Sequence, residues 1–507
     1  MLGEASRVNK PKSIWLGDTA ILVYVAALTV IVHWITGDQY GFHRDELATL
    51  EDSRHLDWGF VAYPPVTPFF GRLSLLFFGT SLAGFRFFAA VAEAVAVVLT
   101  GLMAREMGGR RGAQLAAAVA AIPFCLAGGA LMQYVSFDYL FWVLAAYFVV
   151  KLLKTENPSW WLAIGASIGL GLETKYTMGV FAIGIVAAVV LTDARRYLKS
   201  RWLWYGAALS VLIFLPNLIW QVRNHFISVD FLQHIHARDV RIGRTKNFLP
   251  EQLQFTVFGF ALFLAGLYFT LFSRDGKRFR MLAWMYLTPL AIFVLAKGRA
   301  YYLAAAYPML YAAGSVWAER ALARLGSAVR NWIRVLVWAV LLADIVIVGA
   351  ITLPVAPANS RWAARAMRIN GDFREEIGWP ELVQTIAQIR DSLSADERAQ
   401  LGILTGNYGE AGAVNLYGPQ YDLPRAISGV NSFWQHGYGD PPPQTLIIVG
   451  ADLDDLQGEF ASCRLVARVW NRFGVENEET REHPNIFVCH ALRKPWPEFW
   501  KGFRYFG

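Results

Sequence analysis

Runs of about 20 apolar residues, separated by short charged gaps, set the pattern of this chain. Windows of that length match the ~30 Å hydrocarbon core of a bilayer rather than the interior of a soluble domain. Eleven of them predict helices at about 14–36, 81–104, 112–130, 134–153, 160–174, 176–192, 202–220, 254–273, 281–297, 301–319 and 332–353. A basic cluster follows every even-numbered window. The clusters are Arg105/Arg110/Arg111, Lys151/Lys154, Arg195/Arg196/Lys199/Arg201, Arg274/Lys277/Arg278/Arg280 and Arg320/Arg324/Arg330/Arg334. By the positive-inside rule they mark one cytoplasmic face. Arg7, Lys10 and Lys12 precede the first window and no small-residue cleavage site follows it. It reads as an uncleaved signal-anchor with a cytoplasmic N-terminus. An odd number of crossings then places the C-terminal region outside.

The opposite face carries longer loops. The first, about 37–80, holds Asp38, Asp45, Glu46, Glu51, Asp52, Asp57 and the turn Tyr63-Pro64-Pro65. Within it, Asp45–Ser53 predicts a short helix and Val66–Phe78 an amphipathic helix lying at the interface. The second, about 221–253, holds His225, His234, His236, Arg238, Arg241 and Arg244. Near Pro354 and Pro357 the composition turns mixed and polar. The pattern predicts a membrane domain over 1–354 and a soluble α/β domain over 355–507. That domain has a helix at Glu381–Ser392 and strands at Leu401–Thr405, Thr445–Val449, Arg464–Val469 and Asn485–Cys489.

Composition agrees with a polytopic membrane protein. The 507 residues are 55% hydrophobic and only 17% charged, with a mean hydropathy of +0.35. A formal charge of +8 raises nucleic acid as a partner, but the basic residues lie in the gaps between windows and no nucleic-acid-binding motif accompanies them. Cys125 sits in an apolar window as a small core residue. Cys463 and Cys489 are a disulfide worth about 3.5 kcal/mol if the domain is extracytoplasmic; two free thiols are the alternative.

Charges are costly near a bilayer, about 2.5–3.5 kcal/mol each at a helix centre. The adjacent carboxylates Asp45 and Glu46 therefore belong in a wet loop, where chemistry is open to them. Asp138, Lys175, Lys297, Arg299, Tyr301 and Tyr302 fall at outer helix ends in the same topology. Carboxylates and cations at one depth suit group transfer: a carboxylate deprotonates an acceptor, and Lys or Arg stabilises a leaving phosphate. Each residue also has a plainer reading. A charged helix end is commonly a snorkelling anchor, Asp138 an N-cap, and Tyr301 and Tyr302 aromatic-belt residues. His234 and His236 are two residues apart, with no HExxH or CxxC to make them a metal motif.

The order of these segments is familiar. Asp-Glu in an outer loop is followed by Pro-Pro, then by Arg86 near the start of helix two. Ser136-Phe137-Asp138 comes at helix four, Leu172-Glu173-Thr174-Lys175 after helix five, and Lys297-Gly298-Arg299-Ala300-Tyr301-Tyr302-Leu303 before Tyr307-Pro308. This resembles the membrane glycosyltransferases of the GT-C fold. Within that fold it is most similar to bacterial family-39-like proteins, often named after dolichyl-phosphate-mannose protein mannosyltransferases, with the aminoarabinose transferases of lipid A more distant. The resemblance covers about 14–355. The segment Leu404–Ala413 also resembles the C-terminal domain of bacterial members.

The resemblance implies inverting transfer of a sugar from a polyprenyl-phosphate donor to an envelope acceptor (lipid, glycan or protein) at the outer face of a bacterial inner membrane. Asp45 is then the general base and Glu46 its support. Asp138 matches the family's second acidic position. Lys175, Arg299, Tyr302, Tyr63 and Arg86 are donor-side candidates, with Arg86 also open to a structural role. No metal cofactor is implied, and a divalent cation is left open. One departure stands out: relatives often carry Lys or His before Pro-Pro, where this chain has Tyr63. The rival classes are a secondary transporter, which predicts midplane charges and repeat symmetry, and a non-catalytic assembly factor, which leaves the Asp45 loop without a purpose.

Overall fold

The computed structural model describes residues 17–256 and 258–507. Arg7, Lys10 and Lys12, on which the signal-anchor reading rests, lie outside the described residues. The membrane region runs α1 (Asp18–Thr36), α2 (Arg44–Arg54), α3 (Val66–Phe78), α4 (Leu82–Glu106), α5 (Arg111–Gly128), α6 (Tyr134–Thr155), α7 (Trp160–Leu172), α8 (Thr177–Leu191), α9 (Arg201–Arg223), α10 (Ile227–Arg241), α11 (Phe248–Thr256), α12 (Phe260–Leu271), α13 (Arg280–Leu295), α14 (Tyr307–Ala323) and α15 (Ser327–Thr352). Each of the eleven apolar windows is mainly helical over its described residues. Among the described residues, seven helices are long and apolar enough to cross a membrane, or up to nine if two bent pairs each count as one span.

Two windows are interrupted within their apolar pattern. The window at 254–273 opens inside α11, which meets α12 at a bend of 105°. That at 301–319 begins as a 3-10 turn over Ala300–Ala306 before α14. Apolarity continues through both breaks, so periodicity alone does not reveal them. The outer loop 221–253 is also not irregular: most of it folds into α10 and α11.

The bundle centres on α4, which packs against α1, α5, α6 and α14. Small residues allow its tightest crossings. A Cβ on Gly165 of α7 would collide with the Gly206 carbonyl of α9, and one on Gly314 of α14 with the Leu262 carbonyl of α12. Without a hydrophobic drive between helices in lipid, such close backbone approach supplies the packing energy. The basic clusters meet at one end of the bundle. Glu106 takes Lys154 at 2.8 Å and Lys151 at 3.5 Å, Glu156 takes Arg278 at 2.9 Å, and Asp275 takes Arg320 at 3.0 Å.

After α15 the chain continues as α16 (Arg361–Ile369), α17 (Trp379–Ser392), α18 (Ala395–Ala399), β1 (Leu401–Thr405), α19 (Tyr408–Tyr417), β2 (Ala426–Ile427), β3 (Thr445–Val449), α20 (Leu453–Glu459), β4 (Phe460–Arg468), α21 (Glu478–Arg481), β5 (Asn485–Leu492) and α22 (Trp496–Gly502). The sheet order is β2-β1-β3-β5-β4. β1 pairs in parallel with β2 and β3, while β5 runs antiparallel to β3 and β4. The central β3 is buried along its whole length, as its unbroken Thr-Leu-Ile-Ile-Val run demands. Cys463 and Cys489 face each other across β4 and β5 and form a disulfide; Cys125 is free and buried.

This sheet domain does not hang free. Its helix α19 packs along α2, with Gly412 against the backbone of Leu47. Leu47, Leu50 and Val414 share one hydrophobic core with the bundle.

Candidate active site

The loop helix α2 begins with an interlocked cap. His43 Nδ1 accepts the Asp45 N–H at 3.1 Å, and Glu46 accepts the His43 N–H at 3.0 Å. Two carboxylates in the first turn also suit the helix dipole. The neighbours then part ways. Glu46 is wholly buried and its oxygens are fully occupied. They accept from Arg86 Nη2 at 2.6 Å, Arg86 Nε at 2.9 Å and the Met132 N–H at 2.8 Å. Asp45 turns the other way, with 42% of its side chain exposed, into a cavity of about 1170 Å³. Its Oδ1 accepts from the Tyr408 hydroxyl at 2.8 Å and its Oδ2 from Gln133 Nε2 at 3.0 Å. Burial and the charge of Asp45 push the Tyr408 phenol up, so it stays protonated and donates.

Lys175 faces the same cavity. Its Nζ lies over three tyrosine rings: Tyr302 at 4.3 Å, Tyr134 at 4.6 Å and Tyr301 at 4.8 Å. Among the described residues it forms no ion pair. Ring faces hold an ammonium without offering it a hydrogen-bond acceptor, so its N–H groups are left for an anion. Gln133, which touches Asp45, and Tyr134, which touches Lys175, are consecutive residues. The carboxylate, the caged cation and this pair all line the same cavity.

Arg299 also lines the cavity, but Asp239 holds it through two contacts, Nε–Oδ2 at 2.5 Å and Nη2–Oδ1 at 3.1 Å. Arg238 and Arg244 line the wall beside it, with no ion-pair partner among the described residues. The facing wall comes from the sheet domain and is mainly acidic: Asp372, Glu375, Glu476, Glu478 and Glu482, with Arg374 and Arg481 among them. Burial, with Glu479 nearby, raises Glu375 to about 7.

Three of the expected site residues lie off the cavity. Arg86 does not reach the cavity. It is buried, and its nitrogens are used by Glu46, by Glu376 at 3.1 Å and by the carbonyls of Gly37 and Gly41 at 3.0 Å each. The guanidinium is held away from the cavity, so Arg86 is a brace between α4, the first loop and the sheet domain. Glu46, its partner, does not line the cavity either; it caps the start of α2 next to Asp45. Asp138 is likewise buried below the cavity, one turn inside α6 rather than at its cap. It accepts from Thr177 at 2.9 Å and Trp142 at 3.1 Å and so ties α6 to the start of α8. Tyr63 does line the cavity, but its hydroxyl donates to Asp52 at 2.7 Å. Burial raises Asp52 to about 8.

Sequence reasoning missed Tyr408, Gln133 and Tyr134 as site groups. Tyr408 is 363 residues from Asp45 in sequence, and its only signal was the family-like segment containing it. The placement of Tyr301 and Tyr302 in a cage, rather than a lipid-facing belt, follows from the 3-10 turn that aims them inward. Among the described residues, no group of carboxylates and histidines in this cavity converges on a common point as metal ligands would.

A family model described as dolichyl-phosphate-mannose-protein mannosyltransferase matches residues 62–220. Two curated proteins match, each named undecaprenyl phosphate-alpha-4-amino-4-deoxy-L-arabinose arabinosyl transferase 1. One, from Pseudomonas fluorescens strain Pf0-1, is 26% identical over 241 residues, covering 44% of this chain and 42% of its own. The other, from strain Pf-5 of the same species, is 28% identical over 264 residues, covering 48% and 47%. The match thus spans less than half the length of these relatives. Among solved structures, ArnT from Cupriavidus metallidurans bound to undecaprenyl phosphate superposes with a TM-score of 0.57. It is 16% identical, over 93% of this chain and 98% of that one. The Archaeoglobus fulgidus oligosaccharyltransferase, a complex with Zn and sulfate, gives 0.53 at 13% identity, over 84% and 68%. The chain has the GT-C fold, and its similarity to the family-39-like membrane glycosyltransferases is carried by both sequence and structure.

Proposed function

We propose that this chain is a glycosyltransferase of a bacterial inner membrane that moves a sugar from a polyprenyl-phosphate carrier onto an acceptor hydroxyl of the cell envelope. The observation that carries this reading is the shared cavity, which the open carboxylate of Asp45 and the caged ammonium of Lys175 both line. Asp45 takes the proton of the acceptor hydroxyl as its oxygen attacks the anomeric carbon. The carbon–oxygen bond to phosphate breaks, and the electron pair leaves with the polyprenyl phosphate. Lys175, with Arg238 and Arg244, meets the charge that develops there. A single displacement inverts the anomeric centre. A phosphate leaving group needs no strong general acid, so one carboxylate suffices.

Tyr408 and Gln133 hold Asp45 by its two oxygens and keep it aimed into the cavity. The basic clusters at the far end of the bundle support a cytoplasmic N-terminus, with the sheet domain and the cavity on the outer side, where a lipid-linked headgroup is presented. The curated relatives are named for 4-amino-4-deoxy-L-arabinose carried on undecaprenyl phosphate, which makes that donor the first to test. The decisive experiment compares envelope glycolipids and glycoproteins by mass spectrometry in cells with the gene, without it, and with Asp45→Asn. Asn keeps the size of the side chain and can still accept from Tyr408, so expression is expected to be normal. Transfer is expected to fall by ~10²–10⁴-fold, as general base catalysis predicts. Retained transfer in the Asn variant would refute Asp45 as the base.

A further inference from the structure

At its other end, helix α2 carries a second cluster. Glu51 in its last turns, His55 at its C-cap and His436 from a 3-10 turn of the sheet domain (Asn431–His436) bring one potential ligand atom each to within 4.8 Å of one another. The two imidazole rings lie 4.9 Å apart. We propose that these three residues form a structural site for a divalent transition cation of the Zn²⁺ type, which pins the sheet domain to α2.

Ligand chemistry and orientation both favour this. Two imidazoles and one carboxylate are a common donor set for Zn²⁺, and ligand atoms of a tetrahedral site at ~2.1 Å from the metal lie ~3.4 Å from each other. Here the three ligand atoms lie within 4.8 Å of one another. The remaining gap closes by rotation of two exposed rings. His55 Nδ1 also lies 3.0 Å from the Glu51 carbonyl oxygen. With Nδ1–H donating there, Nε2 presents a lone pair outward, the arrangement by which metal-binding histidines are usually held. Glu51 is almost wholly buried, so the carboxylate is fixed while the histidines close on it.

The place already draws positive charge. Arg425 donates to Glu51, and its Nη1 lies 3.4 Å from His55 Nε2. Arg54 stands 4.0 Å from the other carboxylate oxygen. The Arg425 side chain is 59% exposed, so it can swing into solvent when a compact dication takes its position. The cluster is apart from the chemistry. Glu51 is six residues beyond Asp45, ~9 Å along the helix axis. A metal there would fix how the sheet domain sits on α2, and through it the contact of Tyr408 with Asp45.

The test uses full-length protein in detergent, stripped with EDTA and titrated with Zn²⁺ by calorimetry, and with Co²⁺ by visible absorption. One equivalent is expected, with ligand-field bands for Co²⁺ and a higher Tm with Zn²⁺. His436→Ala and His55→Ala are each expected to weaken binding by at least ~10-fold. His236→Ala, which alters an exposed histidine elsewhere on the outer face, serves as the control and leaves binding unchanged. Arg425→Gln removes the competing cation and is expected to tighten binding several-fold. No bound metal in wild type, equal binding by the His436 and His55 variants, or unchanged affinity in Arg425→Gln would each overturn the proposal and leave Glu51–Arg425 as an ion pair only. None of these readouts depends on the sugar-transfer reaction.

Discussion

Lys175→Met is the sharpest probe of the donor side. The substitution keeps length and removes charge. Lys175 has three aromatic faces around it and no carboxylate within ion-pair distance among the described residues, so its N–H groups are open to a ligand. Losing a hydrogen bond to a charged group costs about 1.5–3 kcal/mol, or about 10–150-fold in affinity for a phosphate ligand. Folding should change little. The cation–ring attractions that are lost, about 0.5–1 kcal/mol each at accessible sites, are offset in part by thioether contacts with the same rings, worth about 0.3–1.5 kcal/mol. The assay is binding of undecaprenyl phosphate to the purified protein, followed by intrinsic tryptophan fluorescence, with Tm recorded in parallel. Arg299→Met is the internal comparison. Asp239 already neutralises Arg299, so the same substitution there should weaken binding less. Affinity in Lys175→Met within about two-fold of wild type, at unchanged Tm, would refute Lys175 as the phosphate contact.

Three other outcomes follow from the contacts. Tyr408→Phe removes the hydroxyl that holds Asp45 at 2.8 Å; turnover should fall by about 10-fold, the worth of one hydrogen bond to a charged acceptor, with undecaprenyl phosphate binding unchanged. Arg86→Met strands Glu46 and Glu376 in a buried site, and chemical denaturation should show a loss of about 3–5 kcal/mol. Asp52, raised from 3.8 to about 8, binds its proton more tightly folded than unfolded. Its contribution to stability is therefore full below about pH 4 and is lost as pH rises toward 8. Asp52→Asn, which can still accept from Tyr63, should flatten the fall in Tm across that window; an unchanged slope would mean another group titrates there.

The helices and most of the strands were legible because their signals are local. An apolar window of bilayer length is helical whatever packs against it, since no other backbone form satisfies its own hydrogen bonds in lipid. The buried runs around Ile403 and Ile447 read as strands for a similar reason. Interruptions were less legible. The bend before Phe260 and the 3-10 turn at Tyr301 lie inside apolar sequence, where the pattern has no mark for a break. The two residues of β2 are too few to carry a period.

By itself the chain determined that it is a many-helix membrane protein ending in an α/β domain, and that Asp45, Lys175 and Arg299 fall at one end of the bundle. Spacing and hydropathy act along the chain, so they suffice for depth and order. Which of two adjacent carboxylates faces substrate was decided only in three dimensions. Arg86 from α4 and the Met132 amide claim both oxygens of Glu46, while Asp45 keeps an open face between Tyr408 and Gln133. The same holds for Lys175, whose unpaired state depends on three tyrosines from two distant turns, and for Arg299, whose charge Asp239 offsets. Charge availability is a property of neighbours in space, and neighbours hundreds of residues apart leave no trace in local sequence.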